Sequence, residues 1–158
     1  MSENRNRAAQ PGAGRTSGGY PEWAAAAEEA GFSALGTIGR AAYPGVMDTV
    51  TLAAAAGATS TIGLLNNVTV APVWPAALLA KEAAGIDGVS GGRLTLGVGV
   101  GGRPDDFVAD GYGTDGRGRR FEHDLEVYRH MARQSGWPPS SVWRGGDRDT
   151  SALRFHRK

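Results

Sequence analysis

The chain has no cysteine in its 158 residues. That absence removes disulfides, thiolate metal sites and thiol nucleophiles together. No apolar run approaches the roughly 18 residues of a membrane span, and the polar, Gly-rich start lacks a signal-peptide core. A cytoplasmic protein without a membrane partner is the expectation. Net charge is also nearly absent: 17 Lys and Arg against 16 Asp and Glu leave +1, so no global field favours nucleic acid or an acidic substrate. Arg117, Arg119 and Arg120 cluster without interleaved aromatics, which is not a nucleic-acid surface. No Gly-x-Ser-x-Gly elbow supports acyl transfer. His123 and His130 lie about two helical turns apart, too far to chelate one metal as a pair, and no metal is inferred.

What the chain does have is 41% hydrophobic residues, enough for one modest core, in an alternating pattern. Residues 1–19 have no apolar period and read as a flexible tail. Pro21, Glu22 and an Ala-rich run stopped by Gly31 predict a first helix. Phe32 to Thr37 predicts a strand, and Asp48 is read as the cap of a second helix ending at Gly57. Ile62 to Val70 predicts a second strand, interrupted by Asn66 and Asn67. A third helix follows from Ala76 to about Asp87, then a turn at Gly88, Gly91 and Gly92, and a third strand from Leu94 to Val98. Gly99 to Gly118 reads as a long loop, a length that is usually functional or disordered. Arg119 to about Ala132 predicts a fourth helix with Phe121, Leu125, Tyr128 and Ala132 on one buried face. Beyond Gly136 the period ends, and 136–158 reads as an irregular tail. Strands alternating with helices imply a parallel α/β sheet, with ligands beyond the carboxyl ends of the strands. Those ends are Thr37 to Arg40, Asn66 to Thr69 and Gly99 to Arg103.

Gly97-Val98-Gly99-Val100-Gly101-Gly102 matches the dinucleotide fingerprint formally. Arg103-Pro104-Asp105-Asp106 follows it, so no helix N-terminus awaits a phosphate and two carboxylates would repel one. A nucleotide-binding module therefore stands as a third reading only.

Three stretches carry a resemblance: Ala27-Glu28-Glu29-Ala30-Gly31-Phe32; Leu79-Ala80-Lys81-Glu82-Ala83-Ala84 with Asp87 and Ser90-Gly91-Gly92-Arg93-Leu94-Thr95-Leu96-Gly97-Val98-Gly99; and Arg117-Gly118-Arg119-Arg120-Phe121. In this order and spacing, from Tyr20 to about Ser135, the chain resembles the N-terminal half of the luciferase-like flavin-dependent oxidoreductases. The Gly91-Gly92 segment is the most recognisable, and as a tight helix-to-strand turn at the barrel's stability face it speaks for folding more than chemistry.

The resemblance implies a partial TIM-like (β/α)₈ barrel of about three to four parallel strands over residues 20–135. It also implies FMN or the deazaflavin F420 as cofactor and monooxygenase or oxidoreductase chemistry on a small organic substrate. In the family the strand matching Ile62 to Val70 carries a bulge under the isoalloxazine ring, sometimes with a non-proline cis peptide. This would explain Asn66 and Asn67; an Asn pair closing a short strand early is the alternative. Gly99, Gly101 and Gly102 would let backbone approach the ring, and Arg103 with Asp105 and Asp106 would line the substrate side or pair with the three arginines. Where several members have an acidic residue and a histidine, this chain has Gly39-Arg40. Arg40 could hold an anionic oxygen of cofactor or substrate, or be a solvated loop residue. Members also begin with a strand before the first helix and take most of the phosphate site from later strands, neither of which the sequence displays. A non-catalytic remnant is the competing reading. Two unpaired sheet edges predict homo-oligomers, and the unpatterned end predicts a frameshift or premature stop.

Overall fold

The computed structural model describes residues 8–9, 19–42, 44–108, 111, 113–134, 139–144 and 150–155. Pro21 in the first turn, where a missing N–H leaves no bond unmade, opens helix α1 (Tyr20–Glu29). Strand β2 (Ala34–Thr37) follows, then α2 (Asp48–Ala58), β3 (Gly63–Val70) and a 3₁₀ turn (Ala71–Val73). Helix α3 (Ala76–Ser90) runs past Gly88, where the sequence suggested a turn, and stops at Gly91 in the left-handed region (φ 69°). Asp87 and Ser90 are buried in that last turn, so packing outweighs the cost of Gly88 in the helix interior. Strand β4 (Leu94–Gly99) follows; the long loop contains a short helix, α4 (Asp105–Val108), before α5 (Arg117–Gln134).

Two expectations are corrected. Ala8–Ala9 forms a strand, β1, pairing in parallel with β2, so the strand before the first helix is present. Two alanines carry no alternation; the pairing comes from the neighbouring strand and not from local preference. The rest of the expected N-terminal tail, apart from Gly19, lies outside the described residues. The C-terminal stretch is also not irregular throughout. Pro139–Arg144 (β5) and Thr150–Phe155 (β6) form an antiparallel pair, and β6 lies antiparallel against β4. An open strand edge is a template for pairing, and it orders segments whose own apolar pattern is weak. The sheet order is β1-β2-β3-β4-β6-β5, with β1 to β4 parallel as in one side of a (β/α)₈ barrel.

The helices pack as α1 on α2, α2 on α3 and α3 on α5. Leu35, Leu64, Leu94 and Leu96 turn from the strands into this layer and meet Leu52, Leu79 and Phe121, each burial contributing roughly 1.5–3 kcal/mol. Among the described residues no helix is long and apolar enough to cross a membrane.

Two charged side chains fasten the end of the sheet where the strands begin. Glu28 accepts hydrogen bonds from the backbone N–H groups of Ser60 (3.0 Å), Thr61 (2.6 Å) and Ile62 (2.9 Å) and from the Thr61 hydroxyl (2.9 Å). Those N–H groups, that of Ile62 foremost, hold its carboxyl at about 2, below the usual 4.5. A carboxyl depressed in the folded state contributes stability fully present above its unfolded value. That contribution is lost as pH falls from about 4.5 toward 2. Glu28→Gln is therefore expected to unfold at lower urea than the parent at pH 7, the difference shrinking as pH falls from about 4.5 toward 2; a constant offset across that range would refute the linkage. Arg93, immediately before β4, is the second fastener. Its guanidinium donates to the carbonyls of Ser90 (2.7 Å), Ile62 (2.7 Å), Ala56 (3.1 Å) and Thr59 (2.8 Å) and to the Thr59 hydroxyl (2.9 Å). Burial lowers its basicity, an effect opposed by Glu28.

Candidate functional site

The opposite end of the sheet, where the parallel strands finish, is built around an irregularity in β3. Asn66 pairs with Leu96 and Thr69 with Val98, so Asn67 and Val68 together oppose Gly97 alone. This is a β-bulge, at the position the resemblance implied, and the Asn67–Val68 peptide is cis. The bulge has a packing partner: a Cβ on Gly97 would run into the Asn66 carbonyl oxygen and lie 3.0 Å from Val68 Cγ1. Only glycine leaves the backbone room there.

The extra residue also changes which side chains share a face. Residues three apart in a regular strand point to opposite faces, but across a bulge they can point the same way. Asn66 and Thr69 do so, both buried, and the Thr69 hydroxyl lies 2.9 Å from Asn66 Oδ1. Asn66 donates to Thr37 Oγ1 (3.2 Å) and to Asp48 Oδ2. With 0% exposure and both amide hydrogens directed inward, its side chain is turned away from any ligand. Asn67 is exposed.

Asp48 was expected to cap α2. The N-cap is Met47, with no side-chain cap bond, and Asp48 is the first helical residue. Its carboxyl turns toward β3, where Oδ2 accepts from Asn66 and from the Thr69 hydroxyl (2.5 Å). Sequence reasoning assigned Asp48 the commonest local role of an aspartate at a helix start. The signal for its actual role was the three-residue spacing of Asn66 and Thr69, legible only with the bulge in place.

Arg40 follows β2 and meets the start of α4. Nε lies 2.9 Å from Asp106 Oδ2 and Nη2 2.8 Å from Asp105 Oδ2. The Ala42 N–H also reaches Asp106 Oδ1 at 3.3 Å. The link joins the segments after β2 and β4, which flank β3 in the sheet. Asp106 is 1% exposed, so its carboxylate needs this partner: a buried charge without one is severely penalised. The expected pairing of Asp105 and Asp106 with the helix-start arginines is thereby corrected. Arg117 bonds to the carbonyls of Gly101 (3.1 Å) and Thr114 (3.2 Å), and Arg120 to those of Asp115 (3.0 Å) and Gly113 (2.9 Å). Those carbonyls lie close in sequence, and satisfying them orders the loop.

The glycines divide. Gly99 is buried at the end of β4, opposite Val70. Gly101 has φ 74° and lies against Val70 and Phe107, a Cβ there meeting Val70 Cγ1 at 2.5 Å and Phe107 Cζ at 3.1 Å; the protein itself fills that cradle. Gly102 and Arg103 are exposed, with open space around Gly102. Asn67, Gly102 and Arg103 are thus exposed, whereas Asn66 and Gly99 are buried and Gly101 is half-buried.

The exposed Asn67 amide and the open backbone at Gly102 are groups of the kind that hydrogen-bond the carbonyl and imide edge of a flat heteroaromatic ring. An anion fits Arg40 poorly, because its charge faces two carboxylates. Among the described residues no group of three or more His, Cys, Asp or Glu could hold a metal.

Elsewhere, Asp124 and Tyr128 are buried on α5, and Asp124 Oδ2 and Tyr128 Oη have no hydrogen-bond partner among the described residues. Burial pushes the Asp124 carboxyl up to about 6 against the opposing pull of His123 and Arg120, and burial followed by Asp124 raises the Tyr128 phenol.

Residues 2–153 match the family described as luciferase-like monooxygenase. The chain is 32% identical over 134 residues to uncharacterised proteins of Mycobacterium tuberculosis and Mycobacterium bovis, covering 71% of itself and 46% of each relative. It thus spans about half the length of the curated relatives it matches. Among solved structures, the monooxygenase RslO1 of Streptomyces bottropensis superposes with a TM-score of 0.65 at 25% identity, over 88% of this chain and 42% of that one. The oxygenating constituent of 3,6-diketocamphane monooxygenase of Pseudomonas putida, a type II Baeyer–Villiger monooxygenase solved with FMN, gives 0.69 at 18% identity, over 90% and 41%.

Proposed function

Because the chain belongs to the luciferase-like monooxygenase family, we propose that it is part of, or acts as, a flavin-dependent monooxygenase on a small organic substrate in the cytoplasm. The observation that carries this reading is the bulge at Asn67–Val68, placed at the finishing ends of parallel strands, where ligands of such folds sit. A reduced flavin, FMN or F420, supplies the electrons for oxygen or hydride chemistry when bound. The chain's own residues hold and screen it. Asn67 donates to the polar edge of the ring, Gly102 leaves room for backbone approach, and Arg103 faces the anionic part of cofactor or substrate. Gly99 and Gly101 keep the floor flat, and Asn66 acts by fixing the bulge. The Arg40–Asp106 link closes one side against water, with Arg40 orienting substrate only through that link.

Titration of the purified chain with FMN and with F420 tests this. Fluorescence quenching or a shifted absorption band at micromolar cofactor is expected. Absence of either signal up to several hundred micromolar would overturn the reading. A second reading is a barrel segment that holds the cofactor without catalysing. Cofactor binding without substrate-dependent oxygen uptake would favour it. Self-association through the outer strands is proposed for either case and is read by sedimentation.

A further inference from the structure

We propose that Asp48 is the positioning residue of the flavin seat, its carboxyl group locking β3 in the bulged register and holding the end of β2 against it. The inference rests on the flavin reading above, but its structural core stands apart from it. Asp48 is 4% exposed. Among the described residues its carboxyl oxygens bond to no backbone N–H of helix α2, so capping does not account for its burial. Oδ2 takes hydrogen bonds from Asn66 and Thr69, while Oδ1 is buried with no hydrogen-bond partner among the described residues. A half-satisfied buried carboxyl is a liability for stability alone.

The geometry supplies its use. Asn66 and Thr69 share a face only because of the extra residue between them. In a regular strand Thr69 would point to the other side of the sheet, and everything beyond it would turn over. The Asp48–Thr69 bond therefore exists only in the bulged register, and Asp48 selects that register over the regular one. The same carboxyl also reaches the neighbouring strand. Asn66, which it grips, donates to Thr37 at the end of β2. A Cβ on Gly39 would overlap Asp48 Oδ2 and approach Thr69 Cα at 3.2 Å, so the backbone leading to Arg40 lies directly over it. One side chain thus sets the height of Asn67 and the path of the loop carrying Arg40.

Asp48→Ala removes both hydrogen bonds, whereas Asp48→Asn keeps an acceptor in place. FMN and F420 affinities of the parent and both variants are measured by fluorescence titration, with far-ultraviolet circular dichroism as the check on folding. Asp48→Ala is expected to bind the parent's cofactor about tenfold more weakly and Asp48→Asn within about threefold of the parent. Parent-like affinity in Asp48→Ala, or equal loss in both variants, overturns the proposal and leaves the flavin reading standing. If Asp48→Ala does not fold, Thr69→Val takes its place, with severalfold weaker binding expected and unchanged binding counting against. If the parent binds neither cofactor, the flavin reading falls by itself, and amide exchange of residues 67–70 in the apo-protein decides on Asp48. Faster exchange in Asp48→Ala but not in Asp48→Asn sustains the register lock; equal rates in all three refute it.

Discussion

Arg93→Ala is expected to lower the thermal midpoint by about 10 °C, corresponding to roughly 3 kcal/mol in a chain of this size. The guanidinium satisfies four backbone carbonyls and one hydroxyl drawn from α2, the segment before β3 and the end of α3. Truncation leaves these part-buried carbonyls without their donor, and a buried acceptor left unsatisfied costs about 1–3 kcal/mol, though such losses do not add fully. Against a total stability of about 5–15 kcal/mol this is a large fraction. Arg93→Lys is expected to recover little, because an ammonium cannot reproduce the planar fork that reaches Thr59 and Ile62 together. Calorimetry of the three proteins is the measurement. A Lys variant within about 2 °C of the parent would mean that charge, and not the fork, holds the three segments.

Gly97→Ala is the second substitution with a large expected effect. The added methyl overlaps the Asn66 carbonyl oxygen and touches Val68, and the obstruction on one side is neighbouring backbone, which cannot swing aside as a flexible side chain would. Overpacking of this kind costs about 1–3 kcal/mol. Here the strain also falls on the bulge, so cofactor binding is expected to weaken more than stability alone implies. Gly88→Ala provides the contrast. Nothing lies within 4 Å of a Cβ there, inside α3, and the substitution is expected to be neutral or to add up to about 1 kcal/mol through helix preference. Urea unfolding of both variants separates the effects, and equal midpoints would show that β3 and β4 yield where the contacts say they cannot.

Much of the fold was legible because its elements carry punctuation. Pro21 and Gly31 bracket α1, Gly91 ends α3, and the period of Phe121, Leu125 and Tyr128 marks the buried face of α5. The elements that escaped, Ala8–Ala9, Pro139–Arg144 and Thr150–Phe155, owe their pairing to neighbouring strands: the first is two residues long, and the other two carry no clear apolar run or alternation. The site divides similarly. Two adjacent asparagines marked an interruption in an apolar strand, and the family resemblance implied a bulge there. Their different fates, Asn66 inward and Asn67 outward, depend on which residues meet them from α2 and β2. The partner of Asp106 was misread because Arg40 lies 66 residues away in the chain, whereas the arginines at the start of α5 are close in sequence. Proximity along the chain suggested one pairing, and the sheet brought about the other.

The strand lying against β4 has a consequence for assembly. Outward-facing amides and carbonyls along a strand form a single row, and five residues of β4, Thr95 to Gly99, pair with Arg154 to Thr150 through it. In a complete barrel that row would be taken by a parallel strand. The two arrangements are mutually exclusive, so the hairpin of β5 and β6 is a competitive occupant of the docking edge. A complementary strand in the parallel sense, from any source, could join this sheet beside β4 only by displacing it.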